Sequence, residues 1–378
     1  MLQSGAIQIN QLIKRFGDFE AVAGIDLQAP PGAFLALLGP SGCGKTTTLR
    51  MLAGLENPSA GEIYLNGRLV ADGLRGTRVP AGQRDAGMVF QSYALWPHMT
   101  IYKNVEWPLK VRGWRGRRRH ERVRQVLTLL DIDALADRYP GEISGGQQQR
   151  AAIARTLGPN PKFLFFDEPL SNLDAKLRTE MRSELLRVHR LSGATSVYVT
   201  HDQVEAMTMA THIAVMNQGH IEQLGTPRQL LQHPQTPFVA NFIGTPPANV
   251  LRVQVQGGQY IYKHLVLGQA KGKDVNQTLL LMYRADDLRL RFEPGARRLP
   301  VALAEITPVA GRAIVTVWDN QQRLNVLVDH LLDGADHRDY FVEFPDQPTI
   351  VYKSDYDRYA FPNTVTDALS MRQPKVLP

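Results

Sequence analysis

The chain is predicted to be an α/β protein: a domain built on a buried parallel sheet, followed by a smaller all-β domain. Three observations carry this. Short apolar runs at Phe34–Leu38 and Phe163–Phe166 suit strands covered on both faces, and Thr195–Thr200 reads as a third strand. Helical stripes of apolar residues lie between those runs. After about residue 245 the pattern changes to short strand-like segments separated by turns.

Composition bounds the rest. With 378 residues, 43% of them apolar and 21% charged, the chain can form two or three domains with real cores. It has no run of ~18 apolar residues, and Met1-Leu2-Gln3-Ser4-Gly5 lacks the basic and apolar segments of a signal peptide. The only cysteine, Cys43, excludes an intrachain disulfide and suits a reducing compartment. Eight basic residues and one acid fall between Lys110 and Arg124, which accounts for the whole formal charge of +7. Basic charge confined to one short segment argues against a nucleic-acid surface. It reads either as a solvated loop and helix start or as a site for anionic headgroups or a partner's acidic loop.

Within the first domain, Ala6–Leu12 and Glu62–Leu65 read as strands, the second ending in the tight-turn signal Asn66-Gly67. The run Phe34–Leu38 leads into Gly39-Pro40-Ser41-Gly42-Cys43-Gly44-Lys45-Thr46, which fits G-x-x-x-x-G-K-[ST], and then into a helix stopped by Gly54. Strand, glycine loop and helix together suit a triphosphate. Backbone N–H groups and the helix N-terminus face the phosphates, Lys45 adds a point charge, and the Thr46 hydroxyl can ligate Mg²⁺.

Gly87–Phe90 is a further strand, ending at Gln91 and followed by the aromatic, proline-punctuated loop Ser92–Thr100. Val123, Val126, Leu127 and Leu130 share one face of a helix from Glu121 to Leu130. Ser144 is placed to cap a helix running from Gln148 to Leu157. The strand Phe163–Phe166 ends in Asp167 and Glu168, whose carboxylates must face a ligand, a cation or a solvent cleft. Such an Asp can hold Mg²⁺ and the adjoining Glu can polarise an attacking water. Leu177, Met181, Leu185, Val188 and Leu191 mark one stripe of a long helix ended by Ser192-Gly193. His201 follows the strand Thr195–Thr200 at the same sheet edge, as a site residue or a structural histidine.

Taken in order, these segments resemble the motifs of an ABC-transporter ATPase over about residues 5–235: Walker A (Gly39–Thr46), Q-loop (Gln91), signature (Ile143–Gln147), Walker B (Phe163–Glu168), D-loop (Ser171–Asp174) and H-loop (His201). The resemblance implies an ATP site formed by Gly39, Pro40, Ser41, Gly42, Cys43, Gly44, Lys45, Thr46 and Thr47, with Phe16 stacking on adenine. It implies Mg²⁺ held by Thr46, Gln91 and Asp167, and catalysis by Glu168, His201, Lys45 and Gln91. Ser144, Gly145, Gly146 and Gln147 would reach the nucleotide of a second copy, giving an ATP-bridged homodimer with Asp174 at the interface. Phe16 stands where the family usually has Tyr or Trp, Ile143 replaces Leu, and Asn172 replaces a small D-loop residue.

The segment Gly244–Asn249 and the strands beyond it are similar to the junction and OB-like tail, of the TOBE kind, of ATPases from maltose-type importers. The expected layout is an ATPase domain over 1–240, with a helical subdomain at about 92–160, and a β-rich domain over 241–378. The resemblance further implies a peripheral subunit at the cytoplasmic face of the inner membrane. There it would pair with two membrane-spanning permease subunits and, through them, serve a solute-binding protein for a sugar or sugar derivative. Polyamine, sulfate or iron uptake, a soluble non-transport ABC ATPase, and an ATP-trapping module are the competing expectations.

Overall fold

The computed structural model describes residues 5–270, 277–329 and 339–353, and the chain divides into two compact units, Met1–Gln229 and Leu230–Pro378. The first unit begins with β1 (Ile7–Phe16), β2 (Phe19–Ala29) and β3 (Phe34–Leu38), then α1 (Lys45–Ala53). Next come β4 (Ala60–Leu65), β5 (Arg68–Asp72), β6 (Thr77–Arg78) and β7 (Ala86–Val89). The helices α2 (Ile101–Val111), α3 (Gly116–Leu129) and α4 (Gly145–Leu157) form a subdomain before β8 (Phe163–Asp167). The unit continues through α5 (Ala175–Ser192), β9 (Thr195–Thr200), α6 (Gln203–Met209), β10 (His212–Asn217) and β11 (His220–Gly225).

Two sheets organise this unit. One has the order β11-β10-β3-β9-β8-β7, parallel except for β11, and the other is antiparallel in the order β2-β1-β4-β5-β6. All residues of β3, β8 and β9 are buried, which is why Phe34–Leu38 and Phe163–Phe166 read as unbroken apolar runs. One core lies around α1 and the antiparallel strands; a second joins the parallel sheet to α2, α3, α4 and α5. Arg84 is only 4% exposed, and its guanidinium donates to Met51 O, Leu52 O and Val79 O. It satisfies the last carbonyls of α1, and burial pushes its pKa down to about 10.

In the second unit, α7 (Pro227–Gln232), which starts just before it, and α8 (Pro237–Phe242) precede an all-β assembly. Its strands are β12 (Asn249–Gln256), β13 (Gln259–Tyr262), β14 (Leu265–Gln269), β15 (Thr278–Tyr283), β16 (Arg289–Arg291), β17 (Arg298–Val309), β18 (Arg312–Trp318), β19 (Arg323–Val328), β20 (Tyr340–Glu343) and β21 (Ile350–Lys353). They form two five-stranded antiparallel sheets, β14-β13-β12-β15-β21 and β16-β20-β17-β18-β19, over a shared apolar core. Asp319, 2% exposed, accepts from Tyr262 Oη and from the N–H groups of Gln321 and Gln322, closing the turn between β18 and β19.

Several expectations are corrected. The helix expected from Gln148 begins at Gly145, because both glycines accept helical dihedrals once Ser144 caps the first turn. The helix expected from Glu121 begins five residues earlier, at Gly116, so most of the basic cluster is helical. Leu191 does not belong to the buried stripe of α5 but is 62% exposed near the helix end. The single strand expected over Tyr260–Leu267 is a hairpin: Lys263, at a φ of 54°, turns the chain between β13 and β14. β17 was not anticipated, since Pro300 and Pro308 within it argue against a strand. Pro300 lies in the stretch of β17 paired with β20 and Pro308 in the stretch paired with β18.

Candidate active site

Strand register brings the functional loops together. Leu38 pairs with Thr200, Asp167 with Val199 and Val89 with Phe166, so the chain leaves β3, β9, β8 and β7 along one carboxyl edge. The glycine loop emerges there and turns into α1. Gly44 sits at a φ of 100°, and a Cβ on it would lie 2.4 Å from Ala21 O, so no other residue fits. Pro40, Ser41 and Gly42 are exposed, whereas Cys43, Gly44 and Lys45 are buried.

Lys45 Nζ donates to Gly39 O and Pro40 O, each at 2.8 Å, which holds the loop in a ring. Its remaining contact is Cys43 Sγ at 3.7 Å, a weak acceptor that a phosphate oxygen would readily displace. Burial raises the pKa of Cys43 despite the neighbouring ammonium, which keeps the thiol protonated and unreactive.

Thr46 Oγ1 donates to Asp167 Oδ1 at 2.9 Å, joining the glycine loop to the end of β8. Asp167 is 7% exposed and its pKa is raised, chiefly by burial. A buried carboxylate beside a hydroxyl, both hard oxygen donors, fits Mg²⁺ with phosphate oxygens completing its shell. Among the described residues no group of three or more His, Cys, Asp and Glu could hold a metal, so such an ion would depend on the nucleotide. Bound there, the cation would neutralise phosphate charge and polarise the phosphoryl oxygens.

Glu168 follows at a φ of 44°, an unfavourable region for a residue with a Cβ. Its N–H donates to Val199 O at 3.1 Å and its carbonyl accepts from Ser171 Oγ at 3.0 Å, so neighbours on both sides enforce the turn. His201 Nδ1 lies 3.3 Å from Glu168 Oε2. A carboxylate and an imidazole in contact, partly open to solvent, can orient a water and accept its proton. Gln91 Nε2 donates to Ser171 Oγ, and Asn172 Nδ2 donates to Gln91 O, so the ends of β7 and β8 are tied by a three-residue bridge. The departure at Asn172 therefore adds a contact.

Phe16, at the end of β1, is 50% exposed with Lys14 Nζ 4.8 Å from its ring centroid, leaving an open aromatic face. Thr47 lies half-buried in the first turn of α1. Residues 144–147 form a reciprocal cap: Ser144 N–H donates to Gln147 Oε1 at 3.0 Å and Gln147 N–H to Ser144 Oγ at 3.4 Å. Ser144 and Gly145 are exposed at the start of α4, while Gly146 is buried against Leu177. Among the described residues no hydrogen bond joins residues 144–147 to residues 39–46, so these two motifs are not brought together within one chain. Asp174 caps α5 by accepting from Leu177 N–H.

Sequence reasoning missed two buried charged residues at this site. Arg155, on α4 and 8% exposed, donates to Tyr93 O and Ala94 O and lies 4.9 Å from the Trp96 ring, clasping the loop after Gln91. Glu205 accepts from Tyr198 Oη and Thr200 Oγ1 and faces Arg178 across a small cavity that Glu168 and His201 also line. The helix that carries Arg155 was readable and the one that carries Glu205 was not, and nothing in a sequence marks an Arg or Glu as buried.

A parallel sheet whose carboxyl edge carries a phosphate-binding loop, a buried aspartate and a glutamate–histidine pair defines a P-loop nucleoside-triphosphate hydrolase. The ABC transporter family profile matches residues 22–171. The trehalose/maltose import ATP-binding protein MalK of Thermococcus litoralis is 53% identical over 245 residues, 65% of this chain and 66% of that protein. The sn-glycerol-3-phosphate import ATP-binding protein UgpC of Rhodopseudomonas palustris (strain BisB5) is 44% identical over 302 residues, 79% of each chain. The ATP-binding cassette MJ0796, solved as a post-hydrolysis dimer with ADP and Pi, is 30% identical with a TM-score of 0.52, covering 59% of this chain and 99% of that one. The chain belongs to the ABC-transporter ATP-binding family, and it is an ATPase. No described helix is long and apolar enough to cross a membrane.

Proposed function

We propose that the chain is the ATP-hydrolysing subunit of an importer for a sugar or sugar derivative, acting as a homodimer at the cytoplasmic face of the membrane. The observation that carries this is the single sheet edge where Thr46–Asp167, Glu168–His201 and Gln91–Ser171 meet. In this reading Lys45 and the loop amides bind the β- and γ-phosphates, and Thr46, Gln91 and Asp167 serve Mg²⁺. Glu168 takes a proton from the attacking water, and His201 orients the γ-phosphate. Phe16 stacks on adenine. Residues 144–147 close over the nucleotide of the second copy, because each triphosphate has more acceptor oxygens than one chain's loop can satisfy. Hydrolysis removes the bridging charge and the dimer reopens.

The same reading assigns the coupling surface. A cavity of about 530 Å³ opens between Met88, Phe90, Trp96, Trp107, Val111 and Arg155. It is mostly apolar and directly follows Gln91, which suits a short cytoplasmic helix of a permease subunit. The second unit is proposed to be the regulatory OB-like tail. The names of the relatives, which import trehalose/maltose and glycerol phosphate, favour a carbohydrate cargo over polyamine, sulfate or iron. Extraction of the native complex in mild detergent tests the reading: two membrane proteins should co-purify with the chain. Association with ribosomes or DNA instead would favour a soluble non-transport ATPase.

A further inference from the structure

The basic cluster has no place in the chemistry above, and α2 and α3 place it on one outer corner of the helical subdomain. Its members divide sharply. Arg112, Arg117 and Arg119 pair with Asp85, Glu121 and Glu106, Lys110 also pairs with Glu106, and Arg122 donates to Leu157 O and Gly158 O. The side chains of Arg115 and Arg124, and of Lys103 outside the cluster on α2, have no hydrogen bond or ion pair among the described residues, and Arg118 lies over the Trp114 ring at 4.1 Å. The first turn of α3 holds no acid, so the helix dipole adds to this positive field.

Apolar groups border the same corner. On α2, Lys103, Trp107, Lys110 and Val111 share the exposed face, with Trp107 44% and Val111 71% exposed. An indole ring beside an unneutralised guanidinium, as Trp114 lies beside Arg118, settles at a headgroup boundary, where one part of the residue is wet and the other apolar. An acidic protein loop would explain the charge but would leave the Trp114 ring beside Arg118 without a role. Nucleic acid would call for a longer basic track.

We propose that this corner, centred on Lys103, Arg115, Arg118 and Arg124, rests on the anionic headgroups of a bilayer, with Trp114 at the boundary. Its position beside the coupling cavity rests on the import reading, which would bring that cavity toward the membrane. The interaction itself depends only on charge and exposed rings. Each cation near an anionic surface strengthens binding about fivefold, and the effect weakens with salt.

The test is co-sedimentation of the full-length chain with vesicles of phosphatidylcholine alone or with about 30% phosphatidylglycerol, at low and high salt. The chain should partition onto the anionic vesicles and be released by salt. The triple variant Arg115→Glu, Arg118→Glu, Arg124→Glu should bind at least ~100-fold less while keeping its ATPase activity in solution, which reports folding. Equal binding to neutral vesicles, no binding, or unchanged binding by the triple variant would each overturn the proposal. So would loss of the permease subunits from the triple variant in detergent free of anionic lipid, which would make the corner a protein contact. Failure on vesicles together with intact co-purification would leave the import reading standing.

Discussion

Two adjacent glycines at the start of α4 separate what the fold requires from what the proposed nucleotide contact would require. A Cβ on Gly146 would lie 2.8 Å and 3.1 Å from the two Leu177 methyl carbons, whereas a Cβ on Gly145 would meet nothing nearer than Tyr93 Oη at 3.9 Å. Alanine in a helix is favoured over glycine by up to about 1 kcal/mol, and overpacking costs about 1–3 kcal/mol. Gly146→Ala should therefore lose roughly 0–2 kcal/mol, limited because Leu177 can move, and Leu177→Ala should recover that loss in a double-mutant cycle. Gly145→Ala should leave the melting temperature of the ATPase unit unchanged or raise it by up to about 3 °C. If Gly145 faces a partner's γ-phosphate, the added methyl group should weaken a charge-assisted hydrogen bond of about 1.5–3 kcal/mol. That predicts an ATPase rate about 10- to 100-fold lower. Calorimetry and steady-state phosphate release measure the two effects, and ATP-dependent dimerisation measured in a Glu168→Gln background should fail alongside. Wild-type turnover by a stably folded Gly145→Ala chain would refute the assignment of this surface to a phosphate.

Glu168→Gln by itself should slow hydrolysis by at least ~10²-fold and trap a dimer with ATP on size exclusion; normal turnover would remove Glu168 from the chemistry. Mixed Lys45→Ala and Ser144→Arg chains should show activity above either variant alone, because each heterodimer keeps one complete composite site. Arg178→Met should strand the buried Glu205 carboxylate beside His201, lowering kcat about tenfold with little change in KM for ATP, while Arg178→Lys should restore part of it. A rise in KM alone would place Arg178 elsewhere in the cycle. Asn104 is fully buried, accepting from Trp96 N–H and donating to the carbonyls of Trp96, Met99 and Thr100. Asn104→Ala should cost about 2–3 kcal/mol in urea melts and loosen permease association more than ATP binding.

Most of the parallel sheet was legible because its strands are buried on both faces, so Phe34–Leu38 and Phe163–Phe166 carry no polar interruption. The glycine loop was legible because few sequences can turn a strand into a helix at a φ of 100° with a lysine following. Strands such as β2 and β17 escaped notice, the first for its mixed burial and the second for its prolines. Arg84, Arg155 and Glu205 escaped for a different reason: a charged side chain is buried only where distant backbone carbonyls or hydroxyls converge on it.

The sequence by itself therefore determined the chemical inventory: a triphosphate loop, a magnesium-competent aspartate, an acid and an imidazole, and a signature placed between them in order. Only the tertiary structure decided which of these groups meet. Parallel register aligns Leu38, Asp167 and Thr200 at one edge, while residues 144–147 open α4 in the helical subdomain and share no hydrogen bond with the loop. The physical reason is that motif order is a property of the chain, whereas proximity is set by strand pairing and by the long-range hydrogen bonds that fix each loop.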